Sequence, residues 1–313
     1  MLPSPWRPSA PATRCACRAQ DAGGLRLVQS ERVFDATKAI SFVEQNGDLV
    51  ELARLHYVLS GEQPAEAVMA TALAGQRDDG GWAPSWASDY SALDTTCHRL
   101  SLAEQLGVEP SAAWDAGRHV IRALTFLVGR QSVDGSWEED EAAATPDSPP
   151  WVKPGDSAAR LYLTANCGYW LAVRGGPARA SAAMAAADAL EQEMMEDGRL
   201  PSYAHAHWLA AALFHRLEHT LAAGRALDRL RLYFLPDLGA GALAWLLTSL
   251  GAAGVPARHP TVRAAAVRLG QGQRSDGRWA SDDDQERDVH TTLEALRALR
   301  WFGRARARSE QFG

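Results

Sequence analysis

The chain has 313 residues, a formal net charge of −6 and no block rich in lysine and arginine, which argues against a nucleic-acid partner. No apolar run approaches the ~20 residues that cross a bilayer, which argues against a transmembrane segment. The four cysteines, Cys15, Cys17, Cys97 and Cys167, have neither paired zinc spacing nor the density of a disulfide scaffold, so a reducing cytoplasm is the predicted location.

The N-terminal residues differ in composition from the rest of the chain. Residues 1–24 are rich in Pro, Ala, Arg and Ser and lack the apolar core of a secretory signal. We therefore predict that residues 1–30 are a disordered leader, or that the start codon is placed too early. One domain is predicted over residues 31–305 and a short C-terminal tail over residues 306–313.

Apolar residues recur at helical spacing along the domain and predict about ten to twelve helices. In chain order the predicted helices cover residues 34–43, 49–58, 65–74, 94–106, 111–128, 156–173, 178–195, 204–223, 227–234, 239–250, 261–269 and 288–302. The β-branched alternation between hairpin turns that marks strands appears nowhere. The predicted fold class is all-α.

A turn sequence recurs between these helices. The pattern Gln-x-x-Asp-Gly-x-Trp stands at residues 76–82, 131–137 and 273–279, and Asp197-Gly198 keeps its centre. Glycine takes positive φ in such a turn, and the Gln amide and Trp indole can tie the turn to its neighbours. Helix pairs in tandem either stack into an open solenoid or close into a ring, and at this length we predict closure into an α/α toroid.

The repeat resembles the QW repeat of the superfamily of squalene-hopene cyclases, terpene cyclases and protein prenyltransferases. The resemblance covers residues 34–303 and implies an α6/α6 barrel, with an outer and an inner ring of helices. It also implies an apolar central cavity that is reached from the end where the inner helices begin. Fold alone does not give the reaction, because enzymes and inert relatives share it.

The first hypothesis is a class II terpene cyclase that protonates an isoprenoid, which could be a prenyl diphosphate. In such enzymes an Asp-x-Asp-Asp or Asp-x-Asp-Thr-Thr motif supplies the acid. Asp94-Thr95-Thr96 resembles the second half of that motif, which implies that Asp94 is the acid, although Ala92 stands where the first Asp would be. The alternative role of Asp94 is a helix N-cap.

Protonation of an alkene requires a dry, protonated carboxylic acid, and aromatic faces stabilise the cation that forms. The alternative role of these aromatic residues is ordinary packing between helices. The candidates for the cavity lining are Trp86, Tyr90, Tyr162, Tyr169, Trp170, Trp208, Phe214 and Trp245.

The second hypothesis is a relative of the protein prenyltransferase β-subunit with a helical partner subunit. That family binds zinc through an Asp-x-Cys pair and a later His, and His290 resembles that His, whereas Gly239 stands where the thiolate would be. The zinc site would therefore be altered. His205 resembles part of a stretch that holds diphosphate, and His98 and Arg160 are further candidates for contacts with diphosphate.

The third hypothesis is a toroid without catalysis that binds an isoprenoid or a protein. The acidic runs at residues 138–141 and 282–284 could hold Mg²⁺ or be exposed loop charges. Zinc is a weaker candidate than Mg²⁺, and the residues require neither. His215 and His219 match an inverted zinc-protease pattern on a predicted helix, but a solvated helix face explains them more simply.

Overall fold

A computed structural model describes residues 34–111 and 113–311. These residues belong to one unit, Val33–Gly313, and the predicted leader, with Cys15 and Cys17, lies outside them. The described residues contain helices and two isolated β-bridges but no β-strand. The all-α prediction is confirmed.

Twelve α-helices alternate along the described chain between an outer and an inner layer. The outer helices are α1 (Ala36–Asn46), α3 (Glu66–Ala72), α5 (Asp115–Gly129), α7 (Ala180–Glu193), α9 (Thr220–Arg229) and α11 (Pro260–Gln271). The inner helices are α2 (Leu49–Ser60), α4 (Leu93–Gln105), α6 (Ser157–Arg174), α8 (Ala204–Arg216), α10 (Ala240–Ala252) and α12 (Asp288–Gln311).

The inner helices form a closed ring. Each packs against the next, from α2 through α4, α6, α8 and α10 to α12, and α12 packs against α2 again. The outer helices pack against the inner ring from outside. Because an outer helix always leads into an inner one, the inner helices all begin at the same end of the barrel.

The glutamine of each repeated turn connects one outer helix to the next. Its side-chain amide donates to the carbonyl of His119 from Gln76 (2.9 Å) and to that of Ala182 from Gln131 (2.9 Å). The third copy, Gln273, donates to the carbonyl of Asp35 just before α1 (2.9 Å). The last turn therefore closes the ring onto the first helix.

The tryptophans of these turns connect the two layers. The indole N–H of Trp137 donates to the carbonyl of Leu127 on α5 (2.7 Å), and its backbone N–H donates to the hydroxyl of Thr164 on α6 (3.0 Å). Trp82 makes the matching backbone bond to Thr96 on α4 (3.2 Å). Thr96, which belongs to the motif that singles out Asp94, therefore also holds the fold together.

Several helix boundaries differ from the sequence predictions, and two of the differences bear on the interpretation. The helix predicted over residues 204–223 is two helices, α8 and α9, because Glu218 takes a positive φ of 63° between them. His215 and His219 therefore lie on opposite sides of a break, not on one helix face. At the C-terminus, α12 continues to Gln311, through most of the predicted tail.

None of the helices in the described part of the chain is long and apolar enough to cross a membrane.

Gly277→Ala should lower the free energy of unfolding by roughly 3 kcal/mol, from left-handed backbone strain and a clash together. Gly277 has a φ of 95°, and a Cβ there would lie 2.5 Å from the carbonyl carbon of Lys38 on α1. Gly254→Ala is the matched control, because Gly254 has a φ of 90° with no atom within 4 Å of an added Cβ. It should lose only about 1 kcal/mol. Urea unfolding measures both, and equal losses would contradict the ring closure described here.

Candidate functional site

The start of α4 is held by a carboxylate from a distant loop. Ala92 precedes α4 and has no side chain that could cap it. Glu139 replaces the cap: its Oε1 accepts the backbone N–H groups of Leu93 (2.7 Å) and Asp94 (3.2 Å). Asp94 is therefore not the N-cap, and its side chain is available for other contacts.

The carboxyl group of Asp94 points to the inside of the ring. Its Oδ1 accepts from the hydroxyl of Tyr162 (2.6 Å) and from the amide of Asn166 (3.4 Å). Among the described residues, its Oδ2 accepts only the indole N–H of Trp151, at 3.3 Å. Burial raises the pKa of Asp94, and these three hydrogen bonds, which favour the charged form, oppose the rise. Oδ2 is the oxygen with room for a proton.

Five aromatic side chains form one side of the space next to Asp94, and we call them the aromatic wall: Trp151, Tyr162, His205, Trp208 and Trp245. The ring of His205 lies in the middle of them, with centroid distances of 5.3 Å to Tyr162, 5.6 Å to Trp208 and 5.6 Å to Trp245. Burial lowers the pKa of His205, which favours the neutral ring. The wall thus presents π faces and one uncharged imidazole.

Three buried polar atoms at this wall have no hydrogen-bond partner among the described residues. They are Oδ1 of Asn166, Nδ1 of His205 and Nε1 of Trp208. Buried polar atoms in native proteins almost always have a partner, which is protein, water or ligand. A ligand or water between the aromatic wall and Asp94 would supply it.

The opposite side of the ring, on α2 and α12, is charged. We call its four polar residues the polar wall: Arg54, His290, Glu294 and Arg297. Arg54 donates to Oε1 of Glu294 (2.6 Å) and to Nδ1 of His290 (3.2 Å). Arg297 donates to Oε2 of Glu294 (3.1 Å) and also pairs with Glu104 on α4 (2.6 Å). The sequence predicts an apolar cavity, whereas this side of the ring carries charged groups in which each arginine is balanced by a carboxylate.

His98 lies on the side of α4 that faces α2 and α12, next to the space inside the ring, which we call the hollow. It lies one helical turn after Asp94 on the same face of α4, and its side chain is accessible to water. Burial nevertheless lowers its pKa to about 4, helped by the charges of Arg99 and Arg54. Burial likewise lowers the pKa of His290, which is only partly accessible, to about 3.

Tyr90, predicted for the cavity lining, and Arg160, predicted as a contact for diphosphate, have their partners elsewhere. Arg160 donates to the hydroxyl of Ser136 (2.9 Å) and pairs with Asp134, so it braces a turn. Tyr90 is buried behind the start of α4, where its hydroxyl bonds to Glu139. Both predictions are corrected, because each side chain finds its partner in the neighbouring turn and does not face the hollow.

The other predicted aromatic residues serve packing in the described structure. Tyr169 and Trp170 are buried further along α6, with ring centroids 5.1 Å apart, and Phe214 is fully buried on α8. Trp86, in the loop before α4, is half-buried against the core, and its indole N–H has no partner there. None of these four has a contact with Asp94 in the described structure.

The candidate metal ligands do not converge. The residues that the structure describes contain no group of three or more His, Cys, Asp or Glu side chains placed to hold a metal ion. In the first acidic run, Glu139 caps α4. In the second acidic run, the carboxylate of Asp282 lies against Gly239. Cys97 and Cys167 face each other with their sulfur atoms 3.9 Å apart, both buried.

A separate cleft of about 380 Å³ lies between the start of α10 and the end of α11. It is lined by Gly239, Leu243, Arg268 and Arg274, among others, and by none of the residues around Asp94.

Sequence reasoning missed Trp151 and Asn166, and it named Glu139 only as part of an acidic run that could hold Mg²⁺. Asn166 stands four residues after Tyr162, a spacing that places both on one helix face and could have revealed it. Glu139 and Trp151 lie in a long loop, 45 and 57 residues from Asp94, and no local pattern connects them to it.

Two solved structures share this architecture. An arginine-to-alanine variant of the type II terpene cyclase MstE from Scytonema, in complex with its substrate geranylgeranyl dihydroxybenzoate, matches with a TM-score of 0.55 and 15% identity. The match covers 86% of this chain and 97% of that one. The ligand-free enzyme matches with a TM-score of 0.54 and 14% identity over the same shares. This chain therefore has the fold of a type II terpene cyclase.

Comparison at the level of sequence gives no match, either to a protein-family model or to a curated protein.

The stability of the Glu139→Gln variant, compared with that of the wild type, should increase as pH rises. Burial raises the pKa of Glu139 from its ordinary value of 4.5 to about 7, so over that interval the unfolded chain releases a proton that the folded chain keeps. The wild type should lose roughly 1–3 kcal/mol of stability between pH 5 and pH 8 that the Gln variant keeps.

Urea unfolding at the two pH values measures this difference. Glu139→Ala is the control: it removes the acceptor for two backbone N–H groups and should lose roughly 2 kcal/mol at both pH values. Parallel pH dependence of the wild type and the Gln variant would contradict a buried Glu139 with a raised pKa.

Proposed function

We propose that this chain is a class II terpene cyclase in which Asp94 protonates a carbon–carbon double bond of an isoprenoid. The observation that carries the proposal is the placement of the Asp94 carboxyl group. It lies inside the ring, its pKa is raised by burial, and it faces an aromatic wall. The shared fold of the Scytonema cyclase supports the same proposal.

The surroundings of Asp94 suit an acid that must protonate carbon. A raised pKa keeps the proton on the carboxyl group at higher pH, and the proton can sit on Oδ2, which has only the long contact from Trp151. When the proton leaves, the bonds that Tyr162 and Asn166 donate to Oδ1 stabilise the carboxylate. The same groups thus lower the barrier to proton transfer.

The aromatic wall would stabilise the carbocations that follow. Trp208 and Trp245 lie with ring centroids 5.4 Å apart and nearly perpendicular planes, at 76°. Their π faces attract positive charge without offering a lone pair that could capture it. A carbocation that moves along the folded isoprenoid chain would therefore be held next to this wall until the last ring closes.

The polar wall favours a substrate whose head group is not a diphosphate. Arg54 and Arg297 are already paired with Glu294 and Glu104, and His98 and His290 have pKa values far below neutral. A diphosphate would meet no uncompensated positive charge on these residues. The Scytonema enzyme takes a geranylgeranyl dihydroxybenzoate, and a prenylated compound with a hydroxylated head group is the substrate class that we propose here. The cytoplasmic location and the partner subunit remain predictions.

Asp94→Asn should lower the rate of cyclisation of geranylgeranyl dihydroxybenzoate by roughly 10²–10⁴-fold, because the amide cannot supply the proton. Product formation is measured by chromatography and mass spectrometry, and circular dichroism verifies the fold. Asp89→Asn is the matched control, since Asp89 is an exposed carboxylate in the loop before α4. Full activity of a folded Asp94→Asn variant would contradict the proposal.

The rate should fall as pH rises through the raised pKa of Asp94, and Tyr162→Phe should move this fall to higher pH. The Tyr162 hydroxyl favours the charged carboxylate, so its loss raises the pKa of Asp94 further. The pH profile of kcat/KM measures the shift, with Tyr233→Phe, an exposed tyrosine, as the control. A fall at unchanged pH would show that Asp94 is not the group that titrates.

A further inference from the structure

We propose that His98 is the base that ends the reaction: it takes the last proton from the cyclised carbocation and passes it on to Asp94. This inference rests on the proposed function and names a second residue for the same site.

The geometry places His98 where a base is needed. Asp94 and His98 are four residues apart on α4, so both side chains face the hollow, about 6 Å apart at their Cβ atoms. The side chain of His98 is exposed, and no described residue forms a hydrogen bond with either of its ring nitrogens. A lone pair is therefore available to a substrate that already lies against Asp94.

The other two histidines of the hollow are placed less well for this role. Nδ1 of His290 is held by Arg54 at 3.2 Å. His205 lies among the rings of the aromatic wall, 5.3 Å from Tyr162 and 5.6 Å from Trp245. His98 is the histidine that shares both the helix and the face of the acid.

The charges around His98 keep its ring neutral and ready to accept a proton. Burial is the largest cause of its lowered pKa, followed by Arg99 on its own helix, Arg54 on α2 and Arg287 just before α12. Glu294 on α12 opposes them with a smaller effect. A neutral imidazole with a low pKa is still far more basic than needed, because a C–H bond next to a carbocation is a very strong acid. The position of the His98 ring therefore decides which C–H proton of the carbocation is removed.

The protein gives one proton to the substrate and takes one proton back. Asp94 gives its proton to one end of the isoprenoid, and the π electrons of successive double bonds form the new C–C bonds. The last carbocation loses a proton to a ring nitrogen of His98, and the electrons of that C–H bond form the double bond of the product. The imidazolium, with its lowered pKa, then passes the proton to the Asp94 carboxylate, whose pKa is raised, directly or through water in the hollow. Substrate and product are isomers, and no other reactant is needed.

The test compares the products that His98→Gln and the wild type form from geranylgeranyl dihydroxybenzoate. The variant should still consume substrate, because Asp94 remains. The share of the wild-type olefin should fall about tenfold or more, in favour of isomeric olefins and alcohols formed by capture of water. His56→Gln is the matched control, since His56 is exposed on α2 and pairs with Glu62. It should leave the products unchanged.

A second variant covers the case in which His98→Gln consumes no substrate. His98→Ala leaves a space in the hollow, and free imidazole should restore the wild-type olefin there while it leaves Asp94→Asn inactive. Absence of this rescue would overturn the inference. Unchanged products from His98→Gln, with Asp94→Asn inactive, would overturn the role of His98 and leave the proposed function intact. A wild-type chain that cyclises no prenylated substrate would overturn the proposed function, and the inference would fall with it.

Discussion

The hollow depends on the contact that joins the last repeated turn to the first helix. Gln273 donates to the carbonyl of Asp35, and the backbone of Gly277 lies so close to Lys38 that no side chain fits between them. The other copies of this turn also join consecutive outer helices, but those helices are neighbours in the sequence. Here residues almost 240 positions apart meet, and this contact joins the two ends of the ring together with the packing of α12 against α2. Without closure, the helices that carry Asp94 and His290 would not face one axis.

The repeated turns also place the acid. The backbone of Trp82 bonds to Thr96, which fixes the first turn of α4, and two residues after Trp137 the chain supplies Glu139, the cap of α4. Each turn therefore supports its own inner helix, and the second turn also supports the inner helix before it. Asp94 is held from three directions, by its own turn, by the following loop and by α6. Such support is what a carboxyl group needs if its proton is to be delivered in one direction.

The features of the structure that depend on local sequence pattern could be predicted, and the features that depend on contacts between distant residues could not. Helix period and the turn motif predicted the paired helices, and a short match at residues 94–96 singled out Asp94. The cap from Glu139 and the charged side of the hollow depend on contacts between residues far apart in the chain, which no periodicity encodes. The break at Glu218 was missed for another reason: a non-glycine residue with positive φ leaves no signal in the apolar pattern.

The two sides of the hollow differ, and this difference bears on stereochemistry. A substrate that binds as proposed would lay its hydrocarbon chain on the tryptophans of α8 and α10 and turn its oxygen atoms toward Arg54 and His290. Because the hydrocarbon chain and the oxygen atoms of the substrate would each have a fixed side of the hollow, only one prochiral face of the terminal double bond can meet Oδ2 of Asp94. A single enantiomer of the polycyclic product would follow from the handedness of the ring itself, since a mirror-image fold of the chain would press its hydrocarbon onto charged groups.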